Sequence, residues 1–394
     1  MPLKSIPAVF MRGGTSKGLM FRAGDLPDRD QWDRIFTAAM GSPDPNGRQL
    51  DGLGGGLSSL SKVCVLGPPT RDDADIDYTF AQVLIREDRV DYAGNCGNMS
   101  SAVGPFAIDE GLVRATGDAA TVRIHNTNTG KIIHASFPLS DGASRSDGDL
   151  AIPGVAGTGA PIRLDFLDPG GATTGRLLPS GHAVDRLIVP SIGPIDVSLV
   201  DAANAAVFVR AADIGLTGRE LPDIIERDHR AMTLLGDIRA HASVAMGIAG
   251  DVAAARQISS VPFIGFVAPA SDFVTLAGDT VGADDIDLHV RMISSGQPHR
   301  ALPLTAALCA AVAARVSGTL VADALSPRTT PGALRLGMPS GVLTVDADVT
   351  PTAGGWHARS GAFYRTARRL FDGRVWVPVE AVSPASDAGA PHRG

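Results

Sequence analysis

Short apolar and β-branched runs recur along the chain at residues 121–124, 131–137, 187–189, 196–200, 206–209 and 343–345. Gly, Pro, Asn and Asp separate them at short intervals, the pattern of strands joined by turns, and this predicts a β-rich architecture. Helical spacing of apolar positions is confined to residues 29–40, 100–110, 221–246 with interruptions, and 302–316. The last segment, LPLTAALCAAVAARV, is apolar almost all round, and a helix without a polar face is normally enclosed by protein. Segment 100–110 is similar but carries Pro105, which removes a backbone donor and is expected to bend the helix or delay its start. Two enclosed helices about 200 residues apart, each flanked by strand-like runs, predict two similarly built halves, although no exact repeat relates them. Turn residues at 179–194 (LPSGHAV, VPSIGP) suggest the boundary, giving a first domain over 1–188 and a second over 189–371. The tail 384–394, rich in Gly, Ala and Pro, reads as disordered.

A chain of 394 residues exceeds a single typical core, in keeping with two domains. The net charge of −7 is dispersed and leaves no basic stripe, which excludes the electrostatic footprint of a nucleic-acid binder. An anionic ligand would therefore be held by local donors, against a slightly repulsive global field. Cys64, Cys96 and Cys309 are far apart and form no CxxC pair, which argues against a disulfide framework and a zinc site and favours a reducing, cytoplasmic compartment. The start, MPLKSIPAVF, has no long apolar stretch, so the mature protein is read as beginning at Met1. Segment 302–316 falls short of the ~20 residues a membrane span needs. HExxH and clustered Cys/His patterns are missing from the sequence, so no metal site is indicated, and no nucleophile elbow suggests a serine hydrolase.

Chemistry concentrates in a few polar segments. In Asn95-Cys96-Gly97-Asn98-Met99-Ser100-Ser101 a cysteine stands just before a helix, where unpaired N–H groups and the helix dipole stabilise a thiolate or bind an anion. The Gly and Asn neighbours, which permit close backbone approach, favour that role over simple packing. Gly52–Val63 is a Gly/Ser loop whose Lys62 enters the strand-like VCVL; desolvation there favours a neutral amine able to act as a base, while the alternative is a surface lysine. Met11–Gly18 (MRGGTSKG) resembles a phosphate loop, but Lys17 precedes Gly18, so the required order fails and nucleotide binding is rejected. Its Gly-Gly-Thr-Ser turn suits a carboxylate or is an ordinary turn. His299, in SSGQPHR, stands before the second enclosed helix as Cys96 stands before the first, and Cys309 lies inside that helix as packing.

Taken together, MRGGTSKG and NCGN, with PAVFMRGGTSKG, GSPDPNGRQLDGLGG, SSLSKV, AGNCGNMSSAVGPFAIDEGLV, NTGK (128–131), LDFLDP (164–169) and DDIDLHVR (284–291), resemble the 2-methylaconitate cis-trans isomerase family. That family includes related 4-oxalomesaconate and methylitaconate isomerases, and the resemblance spans nearly the whole chain. It implies an α+β, diaminopimelate epimerase-like fold: two pseudo-symmetric domains, each a curved sheet around a central helix, with the active site between them. C-terminal strands, about 372–383, would complete the first domain. The resemblance puts the catalytic residues on Lys62 and Cys96. The substrate-binding set is expected at Thr15, Ser16, Lys17, Asn95, Gly97, Asn98, Met99, Ser100 and His299. No cofactor and no metal are implied. Two-cysteine epimerases need a second thiol at the start of the second helix; His299 stands in that region, which disfavours racemisation by paired thiols.

The expected reaction is a 1,3-allylic proton shift, by double-bond migration or cis-trans isomerisation, on an unsaturated di- or tricarboxylate such as 2-methylaconitate or aconitate. Lys62 is the favoured base and Cys96 its acid partner or thiolate neighbour. The reverse order stays open, because a contacting pair titrates as a unit. Gln297 and Phe263 stand where many aconitate-type relatives carry lysines, which points to a less anionic substrate or a different binding register. The rival readings are a keto-enol tautomerase or delta-isomerase on an oxalomesaconate-like intermediate, and a noncatalytic carboxylate-binding protein. The partner is a small polycarboxylate rather than nucleic acid or membrane, and assembly into a homo-oligomer is left open.

Overall fold

The computed structural model describes residues 2–92, 95–258, 261–294, 296–329 and 332–382; the tail read as disordered lies outside these. The chain divides into two compact units, Met1–Ala151 with Val155–Leu164 and Arg365–Gly394, and Ile152–Gly154 with Asp165–Tyr364. The position 188/189 lies inside the second unit. There strand Asp185–Val189 pairs antiparallel with Gly193–Ala202, so the turn residues that resemble a linker close a hairpin.

In the first unit, β1 (Leu3–Gly13) forms a hairpin with β2 (Ser16–Arg22) and pairs along its other edge with the C-terminal strand Ala367–Pro378. Strand β2 runs parallel to β3 (Lys62–Gly67), and β3 antiparallel to β4 (Ile76–Val83). Strand β4 pairs with the short β5 (Val90–Asp91) and with β6 (Ala119–Asn126), which forms a hairpin with β7 (Lys131–Ser140).

Strand alternation sorts the side chains of this layer onto two faces. On one face Val63, Val65, Ala81 and Val83 pack with Ile35, Phe36, Ala39 and Met40 of helix α1 (Trp32–Met40). Helix α1 stops where Gly41 adopts φ 75°, a left-handed cap that glycine takes without steric cost. The opposite face carries Lys62 and Cys64 of β3 and Tyr78, Phe80 and Gln82 of β4, by the register Lys62↔Gln82, Cys64↔Phe80 and Leu66↔Tyr78.

Helix α2 (Gly97–Asp109) packs against β1, β2, β3, β6, β7 and the C-terminal strand, and every residue from Met99 to Ile108 is buried. It starts at Gly97, earlier than the apolar pattern indicated, and runs on through Pro105. Its first turn, Gly97-Asn98-Met99-Ser100, is mostly polar or small and so escapes a reading based on apolar spacing.

The second unit repeats this plan. Strands Gly193–Ala202, Asn204–Arg210, Phe263–Pro269 and Leu288–Ser294 are hydrogen-bonded in that order. Helix His229–Ala245 covers one face through Leu235, Ile238 and Ala242 against Val197, Leu199, Val207 and Phe266. The apolar helix Leu304–Arg315, buried from Ala306 to Ala314, packs on Gly193–Ala202, Asn204–Arg210 and Gly341–Thr352. Each unit is therefore strands around one apolar helix, the α+β, diaminopimelate epimerase-like class expected. Among the described residues no helix is long and apolar enough to cross a membrane.

Close packing of α2 sets a test. A Cβ on Gly104 would stand 2.6 Å from Phe137 Cε1 and 3.1 Å from Ala135 Cβ. Helix propensity favours Gly104→Ala by at most ~1 kcal/mol, but overpacking a buried seam costs about 1 to 3. The variant is expected to be destabilised by ~1 to 2 kcal/mol in urea unfolding, whereas a gain would show that the seam is loose.

Candidate functional site

Lys62 is the first residue of β3 and is only 8% exposed, uncommon for a lysine. Its Nζ donates to Gln82 Oε1 at 2.6 Å and lies 5.0 Å from the centroid of the Phe80 ring. Two residues along the same face of β3 lies Cys64, fully buried, with its Sγ 3.8 Å from the Tyr78 hydroxyl. Burial pushes the Cys64 thiol well up; the Tyr78 hydrogen bond and Lys62 oppose this with smaller effects, and Cys96 adds to it. Cys64 is thus a neutral thiol within electrostatic range of both Lys62 and Cys96.

Cys96 is the N-cap of α2 and half-buried, and its side chain makes no capping hydrogen bond, so the sulfur is not consumed by the helix end. The segment around it is tied down from inside. The Ser100 hydroxyl reaches Cys96 O at 3.0 Å and Asn95 Oδ1 at 3.2 Å, and Asn126 Nδ2 reaches Asn95 Oδ1 at 3.5 Å. Asn128 clamps the approach to this segment: its side chain pairs with both backbone groups of Phe80 and donates to Tyr92 O, all at 2.8 Å. Beneath lies Tyr78, whose hydroxyl burial holds well above its ordinary range. Ser100 N–H closes the first turn on Cys96 O at 2.9 Å; the N–H groups of Gly97, Asn98 and Met99 before it have no acceptor within the helix and carry its positive dipole end.

The turn between β1 and β2 docks on that same helix end. Gly13 allows the approach, since a Cβ there would lie 2.6 Å from Asn98 O, and Gly14 adopts φ 53°. Asn98 Oδ1 accepts from Thr15 N at 3.4 Å and from Arg365 Nε at 3.1 Å, while its Nδ2 donates to Thr15 Oγ1 at 3.1 Å. Arg12 donates to Gly14 O and Thr366 O, holding the turn from behind. Burial lowers the pKa of Arg365 to about 10, so it remains a full positive charge beside Asn98 at neutral pH.

Of the residues expected at the site, Asn95, Cys96, Gly97, Asn98, Met99 and Ser100 form or flank the start of α2, Thr15 bonds to Asn98 there, and Ser16 is buried beside Thr15 at the start of β2. Their parts differ. Met99 and Ser100 are fully buried and face inward, and Asn98 and Thr15 satisfy one another. Lys17 is turned the other way. Gly18 pairs with Lys62 and shares its face, so Lys17 points to the α1 side, where its Nζ sits 5.9 Å from the Phe10 ring.

His299 belongs to the second unit, where the mirror of Cys96 is incomplete. Helix Leu304–Arg315 has Pro303 as its N-cap, so His299 lies in the preceding extended segment, its N–H bonded to Met292 O and its ring 6.2 Å from that of Phe263. Burial lowers its pKa. Gln297 is exposed. Cys309 is buried inside the helix with Sγ toward Val200 O, its thiol pushed up to about 12 by burial. Among the described residues no group of His, Cys, Asp or Glu is placed to hold a metal ion.

Gln82, Asn126, Asn128 and Arg365 were not singled out from the sequence. Only Asn128 carried a signal, as the first residue of NTGK; the others reach the site through strand pairing or through a strand far along the chain.

The family described as PrpF protein matches residues 3–378, and the chain belongs to that family. It is 43% identical to a 3-methylitaconate isomerase of Eubacterium barkeri, over 94% of this chain and 97% of that one. It is 40% identical to a 2-methyl-aconitate isomerase of Cupriavidus necator, over 97% and 99%. A crystal structure of methylitaconate-delta-isomerase superposes with a TM-score of 0.90 at 41% identity, covering 99% of this chain and 100% of that one.

The docked turn gives a test. At Gly14 a Cβ would fall 2.2 Å from Asn98 Oδ1. Gly14→Ala adds left-handed strain of ~1 to 2 kcal/mol and breaks hydrogen bonds worth about 1 each. It is expected to lose roughly 2 to 3 kcal/mol in urea unfolding, while Gly24→Ala, with open space around it, stays near wild type. Equal midpoints for the two variants would contradict the docking.

Proposed function

We propose that this protein is an isomerase that moves a proton between allylic carbons of a small unsaturated di- or tricarboxylate, with Lys62 and Cys96 as the groups that exchange it. The observation that carries the reading is the placement of a buried lysine on the strand face that α2 covers, with an uncapped cysteine at the start of that helix and Cys64 within electrostatic range of both. The relatives named for 3-methylitaconate and 2-methyl-aconitate support the substrate class.

Lys62 as neutral amine takes a proton from the carbon γ to a carboxylate. The electron pair left behind spreads through the double bond onto carboxylate oxygens as a dienolate. The first N–H groups of α2 and the charge of Arg365 stabilise that oxyanion, each well-placed donor contributing about 3 kcal/mol. The thiol of Cys96 then returns a proton at the distant carbon, and the double bond has moved. Proton transfer between the resulting ammonium and thiolate, directly or through water, resets the pair. No oxidation state changes, so the chemistry calls for no redox cofactor. Three free cysteines suit a reducing compartment, and we place the enzyme in the cytoplasm.

In deuterium oxide, wild type is expected to incorporate solvent deuterium into 3-methylitaconate or 2-methylaconitate, read by proton NMR. Lys62→Ala and Cys96→Ser are expected to lose exchange by roughly 10²- to 10⁴-fold, the range of a general acid or base. Wild-type exchange in Lys62→Ala would sink the assignment. Oxalomesaconate in the same panel separates the tautomerase reading.

A further inference from the structure

Gln82 stands directly opposite Lys62 across β3 and β4. Its amide cannot turn over freely. Nε2 lies 3.0 Å from Ser61 O, 3.1 Å from Ser58 O and 3.3 Å from Val83 O. A flipped amide would aim its oxygen at these carbonyls and its NH2 at the lysine, replacing attraction with repulsion on both sides. Oε1 is therefore fixed toward Nζ, at 2.6 Å.

The chemical type of this acceptor matters. An amide oxygen accepts both from an ammonium and, more weakly, from a neutral amine, so the contact survives loss and gain of the lysine's proton. A carboxylate in its place would form a half-buried ion pair and hold the ammonium charged. With one N–H committed to Gln82 and the Phe80 ring 5.0 Å from the same end, two positions on the tetrahedral nitrogen are left, and fixing the first fixes the cone on which they lie. Cys64 on its own strand lies within electrostatic range of both Lys62 and Cys96, and the carboxylate on this face is Asp91 of β5, exposed and paired across from Gln82 on the side away from Lys62.

We propose that Gln82 is a positioning residue that holds Lys62 Nζ in one orientation through both of its protonation states. This rests on Lys62 being the base, as argued above. It also accounts for an amide at a position where the isosteric glutamate would give the stronger contact.

The test measures kcat and KM against pH for wild type, Gln82→Glu, Gln82→Met and Lys62→Ala with 3-methylitaconate, with folding followed by thermal unfolding. Gln82→Glu is expected to move the acid limb of the kcat profile up by at least one pH unit, with KM within about twofold and activity recovering on the alkaline side. Gln82→Met, which removes the acceptor, is expected to lose at least tenfold in kcat at every pH with no alkaline recovery. An unshifted profile in folded Gln82→Glu, or wild-type kcat in Gln82→Met, overturns the proposal. If Gln82→Glu does not fold, the Gln82→Met result decides. Inactive Lys62→Ala beside an unshifted Gln82→Glu removes only the role of Gln82, whereas active Lys62→Ala removes the base assignment itself.

Discussion

Enclosure of α2 is the constraint from which the first unit follows. A helix buried from Met99 to Ile108 has no face to offer water, so strands must surround it, and their inward residues must fit its surface. Gly13 and Gly104 mark where the fit is tightest, against Asn98 and Phe137. The backbone N–H groups of Gly97, Asn98 and Met99 have no partners within the helix, so one polar opening at Cys96 is the necessary counterpart of an otherwise apolar element. The docked turn, with Thr15 and Arg365 sharing Asn98, fixes the shape of that opening.

The same plan in the second unit yields different chemistry. Its apolar helix starts after Pro303, its cysteine is buried partway along, and His299 lies upstream in an extended segment. Two similar scaffolds thus carry unlike polar groups. The first unit supplies an amine and a thiol, the pair proposed to move the proton.

Much of the fold was legible because apolar periodicity is a local signal. Segments 302–316 and 100–110 announced enclosed helices by having no polar face, and the β-branched runs fell on strands. Polar helix starts are not visible in that way, which is why α2 begins at Gly97 rather than beside Ser100. The stretch 179–194 has the composition of a linker but closes a hairpin, and only pairing partners distinguish the two. At the site, Lys62 and Cys96 stood out because each sits in an unusual loop context. Lys17 shares a motif with Ser16, yet strand alternation sends it to the opposite face. Gln82 and Arg365 sit in ordinary strand sequence and acquire meaning from a register and from a strand hundreds of residues away.

The proposed reaction requires one substrate lying between Lys62 and Cys96. A crystal structure of Cys96→Ser with 3-methylitaconate bound tests this most directly. It is expected to show a carboxylate on the first N–H groups of α2, and the two carbons that exchange protons within about 3.5 Å of Lys62 Nζ and of the residue 96 side chain, respectively. A ligand seated away from Lys62, or with both carbons beyond reach of residue 96, would contradict it.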